Sequence, residues 1–153
     1  MKLTGNFILF VILQFSFIDG SAQVPNGTWR DHLPYSSIEY IAEVENKIYC
    51  STTGGIFSFN KADNSLQKYS KVNGLSDIGT SIMGYSEATS TLVICYDNCN
   101  IDLIRNDSII NLPDIKLKII IGDKFIYNIS FYDHYAYLSA GFGIVVIDLL
   151  KKK

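Results

Sequence analysis

The stretch Tyr-Cys-Ser-Thr-Thr-Gly-Gly-Ile at residues 49–56 returns twice, as Ile-Cys-Tyr-Asp-Asn-Cys-Asn-Ile at residues 94–101 and as Tyr-Leu-Ser-Ala-Gly-Phe-Gly-Ile at residues 137–144. The closing isoleucines of the three copies are 45 and 43 residues apart. Each copy reads as strand, tight polar turn, strand, and a period of about 40 to 45 residues with such a unit is typical of β-propeller blades. The repeat therefore predicts an all-β fold.

Runs of β-branched and aromatic residues, cut by turn residues, predict four strands in each of the first two units and three strands in the last. The predicted strands cover residues 38–43, 47–51, 55–60, 66–70, 81–85, 91–96, 100–105, 108–112, 127–132, 135–140 and 143–149. Between the second and third units, the apolar residues 117–121 predict either an additional strand or a packed loop. We expect an incomplete β-propeller of about three four-stranded antiparallel blades, the last one unfinished.

A propeller ring closes with about 4 to 8 blades. Fewer than three complete blades cannot close it, so we expect residues 23–153 to be the N-terminal part of a propeller in a longer protein. An ordinary small β-sandwich is the alternative, but it does not explain the nearly equal repeat spacings.

The composition excludes two classes of protein. With 13 Lys and Arg against 15 Asp and Glu, the net charge of −2 gives no strong field that would attract nucleic acid or anionic lipid. A hydrophobic content of 48%, with 13% aromatic residues, is too apolar for a disordered chain. The chain should therefore build a core.

Residues 1–22 have the pattern of a secretory signal peptide. Lys2 precedes an apolar stretch at residues 7–18, and Gly20 and Ala22 stand at the −3 and −1 positions, so cleavage is expected before Gln23. An uncleaved amphipathic anchor is the alternative. The apolar stretch is shorter than the roughly 20 residues of a transmembrane helix, and we expect no membrane-spanning segment.

A binding surface is expected where the turn between the second and third strands of each blade meets the connection to the next blade, because successive turns of a meander alternate between its two ends. Loops on a rigid sheet scaffold often carry recognition, and hydroxyls, amides and aromatic rings suit a carbohydrate or a protein partner. Turn chemistry alone would also select many of these residues. The candidate binding residues are Asn73, Asp77, Asp97, Asn98 and Phe142.

The three cysteines cannot all pair within one exported chain. Cys50 and Cys95 occupy the same repeat position, which favours packing as small buried apolar groups. Cys95 and Cys99 flank a turn, and a disulfide between them remains an alternative. Zinc would need four ligands, so neither a metal nor a cofactor is expected.

The sequence contains no nucleophile elbow, zinc-protease helix or phosphate loop. His32 and His134 are predicted to be turn or surface residues. We therefore expect no enzymatic activity in this chain.

Four stretches together carry a family resemblance: Trp-Arg-Asp-His-Leu at residues 29–33, Ser-Lys-Val-Asn-Gly-Leu-Ser-Asp at 70–77, Asn-Ile-Asp-Leu-Ile at 100–104, and the ending at 136–149 with its Gly-Phe-Gly-Ile-Val-Val. From about Gly27 onward the chain resembles the PorZ-like N-terminal β-propellers of the Bacteroidota type IX secretion system. The resemblance implies a cell-surface protein of the attachment complex, whose sortase anchors cargo to anionic lipopolysaccharide. Its implied partners are sortase complex subunits and lipopolysaccharide sugar, and it assigns no site residue.

Two other classes of propeller protein are alternatives. The periplasmic propellers of hybrid two-component sensors share the Asn-Gly-Leu-Ser motif at residues 73–76. However, they carry a Trp in the second strand of each blade, where this chain has Tyr49, Ile94 and Tyr137. A secreted propeller lyase or glycosidase would need inward-facing carboxylates on several first strands. Only Glu39 and Glu43 are available there.

Overall fold

The computed structural model describes residues 33–152. The predicted signal peptide at residues 1–22 and His32 lie outside these residues. Within them, three antiparallel sheets follow one another along the chain. The first contains β1 (Ile38–Val44), β2 (Lys47–Thr52), β3 (Gly55–Asn60) and β4 (Leu66–Tyr69); the second β5 (Thr80–Ser86), β6 (Thr91–Tyr96), β7 (Ile101–Arg105) and β8 (Ser108–Leu112); the third β9 (Ile126–Tyr132), β10 (Tyr135–Ala140) and β11 (Gly143–Asp148).

Every predicted strand is confirmed, with ends within one residue of the prediction. The strands of each sheet pair in chain order, which is the meander of a propeller blade. The described residues thus form three blades of an incomplete β-propeller with no closed ring. Turn residues of suitable conformation connect the hairpins. In the two-residue turn between β7 and β8, Asn106 and Asp107 both have positive φ, as a tight turn between right-twisted strands requires.

Two hydrophobic clusters fill the spaces between the blades. Tyr49 and Ile56 of the first blade pack with Leu92 and Ile94 of the second in one cluster. In the other, Val93, Cys95 and Leu103 of the second blade pack with Ile126 and Leu138 of the third. The core therefore lies between the faces of neighbouring blades.

Strand β6 supplies side chains to both clusters. Leu92, Ile94 and Tyr96 belong to the first cluster, while Val93 and Cys95 belong to the second. Successive side chains of a strand point to opposite faces, so a strand covered on both faces is apolar throughout. All six residues of β6 are buried, which confirms the expected packing role of Cys95.

The prediction for residues 117–121 was wrong. Pro113, with φ fixed in the helical range, precedes a short helix α1 (Asp114–Leu117). Beyond α1, residues 118–125 form no strand. The segment is not packed either, because Leu117, Ile119 and Ile121 are 74%, 96% and 99% exposed. No helix in residues 33–152 is long and apolar enough to cross a membrane.

Candidate functional site

The turns and connections that were expected to form a binding surface lie together at one end of the blades. The backbone N–H of Asp97, in the β6–β7 turn, donates to the carbonyl of Gly79 in the β4–β5 connection (2.9 Å). The N–H of Gly141, in the β10–β11 turn, donates to the carbonyl of Phe125 in the β8–β9 connection (3.1 Å). We call this surface the turn face: the β2–β3, β6–β7 and β10–β11 turns with the β4–β5 and β8–β9 connections.

Two glycines allow these turns and connections to approach closely. A Cβ at Gly141 would lie 2.6 Å from the carbonyl oxygen of Asp123. Gly79 has a φ of +73°, and a Cβ there would lie 2.7 Å from an oxygen of the Asp97 carboxylate. A Cβ at Gly141 would clash with the backbone of Asp123, and a side chain at Gly79 would be disfavoured by both the positive φ and the Asp97 carboxylate. The contacts between these turns and connections therefore depend on the two glycines.

Asp77 is the centre of a polar network under the turn face. Its Oδ2 accepts hydrogen bonds from the Nδ2 of Asn98 (2.8 Å), the Nδ2 of Asn100 (3.2 Å) and the Nζ of Lys116 (2.5 Å). The Nζ of Lys71 lies 3.6 Å from Oδ1. One carboxylate thus joins the β4–β5 connection, the β6–β7 turn and α1.

The Asp77 carboxyl is buried, and this burial alone would raise its pKa. The hydrogen bonds from Lys116, Asn98 and Asn100 favour the charged form and outweigh burial, so the pKa falls to about 2. Asp77 therefore stays ionised at any physiological pH. Its charge is satisfied by protein groups and fixes the shape of the face.

A second buried carboxylate, Asp102 on β7, holds the same connection one residue before Asp77. It accepts hydrogen bonds from the Ser76 backbone N–H (2.8 Å), the Tyr96 hydroxyl (2.7 Å) and the Asn111 Nδ2 (2.9 Å). Burial, together with the neighbouring Asp102 carboxylate, raises the pKa of Tyr96. The hydroxyl of Tyr96 therefore remains a donor to Asp102.

Asn73 closes the short 3-10 turn Lys71–Asn73 at the start of the β4–β5 connection. Its Oδ1 accepts from the Ser70 backbone N–H, and its Nδ2 donates to the Lys68 carbonyl (2.6 Å). The Ser70 hydroxyl accepts from the Val72 N–H (3.3 Å), which completes a capping box. The Asn73 side chain is exposed, but its polar groups serve the turn.

Asp97 and Asn98 are neighbours with different environments. The Oδ1 of Asn98 accepts from the Asn100 backbone N–H (2.9 Å) while its Nδ2 donates to Asp77, so both ends of this amide are used internally. The Asp97 side chain is exposed, and no side-chain hydrogen bond reaches it from residues 33–152. Of the two, Asp97 offers the free polar group.

Phe142 lies apart from the other candidates. It is half-buried against the second core cluster and lines an apolar groove with Ile115, Ile120 and Val145. Helix α1 links this groove to the polar network, since it supplies Ile115 to the groove and Lys116 to Asp77. The structure therefore brings Asp77, Asp97 and Asn98 together, and places Asn73 and Phe142 at separate points of the same face.

The cysteines carry no disulfide and no metal in the described part of the chain. Cys50, Cys95 and Cys99 are free and buried, so the disulfide considered between Cys95 and Cys99 is absent. The Cys99 thiol instead donates to the Lys124 carbonyl (2.9 Å). Burial raises the pKa of all three thiols, which keeps them protonated and unreactive.

Over residues 33–152, no group of three or more His, Cys, Asp or Glu side chains is placed to hold a metal ion. His134 lies in the β9–β10 turn as predicted, with its Nδ1 2.7 Å from the Asp133 carboxylate. This pair lies at the end of the third blade opposite the β10–β11 turn.

A family model and a solved structure both match this chain, and both belong to the same family. The family model described as "TSS9, PorZ, N-terminal beta-propeller domain" matches residues 48–153. A solved structure of PorZ, described as an essential bacterial surface component of the type IX secretion system of Porphyromonas gingivalis, superposes with a TM-score of 0.72 at 29% sequence identity. The match covers 78% of this chain but only 16% of that PorZ chain.

A second solved structure, BamB from Moraxella catarrhalis, superposes with a TM-score of 0.47 at 11% identity. The match covers 69% of this chain and 29% of the BamB chain. A similarity this low supports no inference about function. No curated protein is significantly similar to the sequence.

Proposed function

The chain belongs to the family of PorZ N-terminal β-propeller domains, and from this membership we propose that it acts as a non-catalytic binding module of a type IX secretion system. The observation that carries the proposal is the match of residues 48–153 to this family. The related PorZ is described as a surface component of such a system. By this proposal the chain is exported and works at the outer-membrane surface.

The module would help the sortase of the attachment complex to anchor cargo proteins to anionic lipopolysaccharide. Its partners would be sortase complex subunits, with lipopolysaccharide sugar as a second ligand. The turn face is the proposed contact surface because it combines an exposed carboxylate at Asp97 with the aromatic ring of Phe142 on a rigid sheet scaffold.

The five candidate residues divide into two roles within this proposal. Asp97 and Phe142 would contact the partner, because the first is exposed without a hydrogen bond and the second is half-buried beside a groove. Asn73, Asp77 and Asn98 would position the turns, because their polar groups already serve internal bonds. Positioning residues should affect binding mainly through stability.

The test is a capture experiment with the full-length protein. Affinity-tagged Asp97→Ala and wild-type proteins are isolated from cells, and the co-purified sortase subunit and lipopolysaccharide are quantified. Glu87→Ala is the matched control, because Glu87 is an exposed carboxylate on the β5–β6 turn at the opposite end of the same blade. Thermal unfolding of each variant confirms that the fold is intact.

We expect Asp97→Ala to reduce capture by about three- to tenfold, which corresponds to the loss of one hydrogen bond of ordinary strength at a solvent-exposed site. Glu87→Ala should capture as much partner as the wild type. Equal capture by wild type and Asp97→Ala would reject the turn face as the contact surface. Co-purification of a histidine kinase instead of a sortase would transfer the protein to the sensor class.

A further inference from the structure

A cavity of about 450 Å³ lies where the turn face meets the first strands of the blades. Its lining comes from the starts of β1 and β5, the β6–β7 turn and the β8–β9 connection. The first strands β1, β5 and β9 of neighbouring blades contact one another in turn, as the strands nearest the axis of a propeller do. We call this the axial cavity, and its lining residues are Glu39, Tyr40, Thr80, Ser81, Asp97 and Phe125.

Two β-bulges shape the wall of the axial cavity. The pairing of β1 with β2 shifts register around Glu39, and the pairing of β5 with β6 shifts register around Ser81. A bulge adds one residue to a strand and redirects its side chains, and bulges are common beside binding sites. Both irregular residues line the same cavity.

The cavity contains a buried hydroxyl without a partner. Thr80 is only 5% exposed, and no hydrogen bond from residues 33–152 reaches its side chain. Ser81 beside it, by contrast, donates its hydroxyl to the Cys95 carbonyl (3.1 Å). A buried polar group that lacks a hydrogen bond is costly, and native proteins satisfy nearly all such groups. The Thr80 hydroxyl therefore indicates a polar occupant of the cavity.

The charge of the axial cavity is negative and is not balanced by the protein. Glu39 and Asp97 are exposed, and neither carboxylate forms a hydrogen bond or ion pair with residues 33–152. No Lys or Arg of these residues lines the cavity. Lys124 of the β8–β9 connection instead donates its Nζ to the carbonyls of Lys116 (2.9 Å) and Lys118 (3.0 Å). The site therefore favours a cation from outside.

The carboxylate of Asp97 is held in position by the backbone. The N–H of Asp97 donates to the Gly79 carbonyl (2.9 Å). Gly79 leaves room for the carboxylate, because a Cβ there would lie 2.7 Å from its Oδ2. A group that is already positioned loses less conformational freedom when it binds, so more of the interaction energy appears as affinity.

We propose that the axial cavity binds a cationic side chain, arginine or lysine, of a protein partner. Glu39 and Asp97 accept charge-assisted hydrogen bonds from the cation, and the Thr80 hydroxyl accepts a further one. The rings of Tyr40 and Phe125 supply aromatic surface for the cation and its aliphatic stem. An anionic polysaccharide is disfavoured here, because the two carboxylates repel it. This inference rests on the proposed function and deepens it, because it names the partner group that meets Asp97.

The test measures binding of Nα-acetylarginine amide to the full-length protein by saturation-transfer difference NMR. The comparison ligands are Nα-acetylcitrulline amide, a neutral analogue of the same shape, and glucuronate, an anionic sugar. The variants are Glu39→Gln, Asp97→Asn and Thr80→Val. Glu87→Gln is the matched control, because Glu87 is an exposed carboxylate at the opposite end of the second blade. Thermal unfolding of each variant confirms that the fold is intact.

We expect the arginine probe to bind to the wild type, and the citrulline and glucuronate probes not to bind. Glu39→Gln and Asp97→Asn should each weaken binding of the arginine probe by about three- to tenfold, the loss of one hydrogen bond at a solvent-exposed site. Thr80→Val should weaken it by about threefold. Glu87→Gln should bind the probe like the wild type.

Two results would overturn the inference. One is an arginine probe that does not bind, or that binds equally to the wild type and to the Glu39→Gln and Asp97→Asn variants. The other is binding of glucuronate in place of the arginine probe, which would assign the cavity to an acidic saccharide. Capture of the sortase subunit separates this inference from the proposed function. A protein that captures no sortase subunit but binds the arginine probe through Glu39 and Asp97 would reject the proposed function and support the cation site.

Discussion

Replacing Asp77 by Asn should remove a pH-dependent part of the stability of this protein. The pKa of Asp77 is lowered from 3.8 to about 2 by the hydrogen bonds from Lys116, Asn98 and Asn100. A lowered pKa in the folded state means that the carboxylate stabilises the fold above the ordinary pKa. That contribution is lost as the pH falls from about 4 towards 2.

The size of the expected loss in unfolding free energy follows from the pKa shift of Asp77. A difference of about 1.8 pKa units corresponds to about 2.4 kcal/mol. The side chain of Lys116 is 37% exposed, so solvent screens the ion pair and we expect about 1–2 kcal/mol. The Asn variant keeps the size of the side chain but loses the charge, so at pH 7 it should be less stable by that amount.

The assay is urea unfolding, followed by circular dichroism, at intervals between pH 5 and pH 2. The wild type should lose stability across this range more steeply than Asp77→Asn, and the difference between the two proteins should shrink towards pH 2. Asp97→Asn is the control, because its exposed carboxylate has no such partners, and it should change stability by less than about 0.5 kcal/mol. Parallel pH profiles for wild type and Asp77→Asn would show that the Asp77 carboxylate contributes no pH-dependent stability.

Three other substitutions or treatments test the packing. Tyr96→Phe removes the hydroxyl that donates to buried Asp102 and should cost about 1–3 kcal/mol by urea unfolding; no loss would show that Asp102 finds another donor. Gly141→Ala places a Cβ within 2.6 Å of the Asp123 carbonyl and should cost about 1–3 kcal/mol, whereas an unchanged melting temperature would contradict this close approach. The three buried cysteines should react with a thiol reagent only after unfolding, since burial raises their pKa values, and rapid labelling of the native protein would contradict this.

The fold could be predicted from the sequence because the residues of each turn indicate where a hairpin forms. Strands cut by short polar turns pair with their neighbours in the chain, so residues close in sequence decide the blades. The shared repeat position of Cys50 and Cys95 indicated that the second strand of a blade packs in the core, and all six residues of β6 are buried. Residues 113–125 escaped this reasoning, because an apolar run is the same in a strand, a helix or a displayed loop.

The candidate site could be predicted only in part from the sequence. The topology predicted the turn face, and turn composition selected residues that lie on it. The partners of Asp77 could not be predicted, because Lys116 is 39 residues away and reaches Asp77 only through a helix that the sequence did not reveal. Asn100 and Asn111 were missed for the same reason, since their roles arise from contacts between elements and leave no local pattern.

Deleting the gene is the sharpest test of the proposal that this protein serves surface attachment in type IX secretion. The gene is deleted in its own organism, and the location of secreted cargo is followed by cell fractionation, with the wild-type gene restored as the control. We expect cargo to disappear from the cell surface in the deletion strain and to return on complementation. Cargo that remains anchored at wild-type levels without the protein would contradict it.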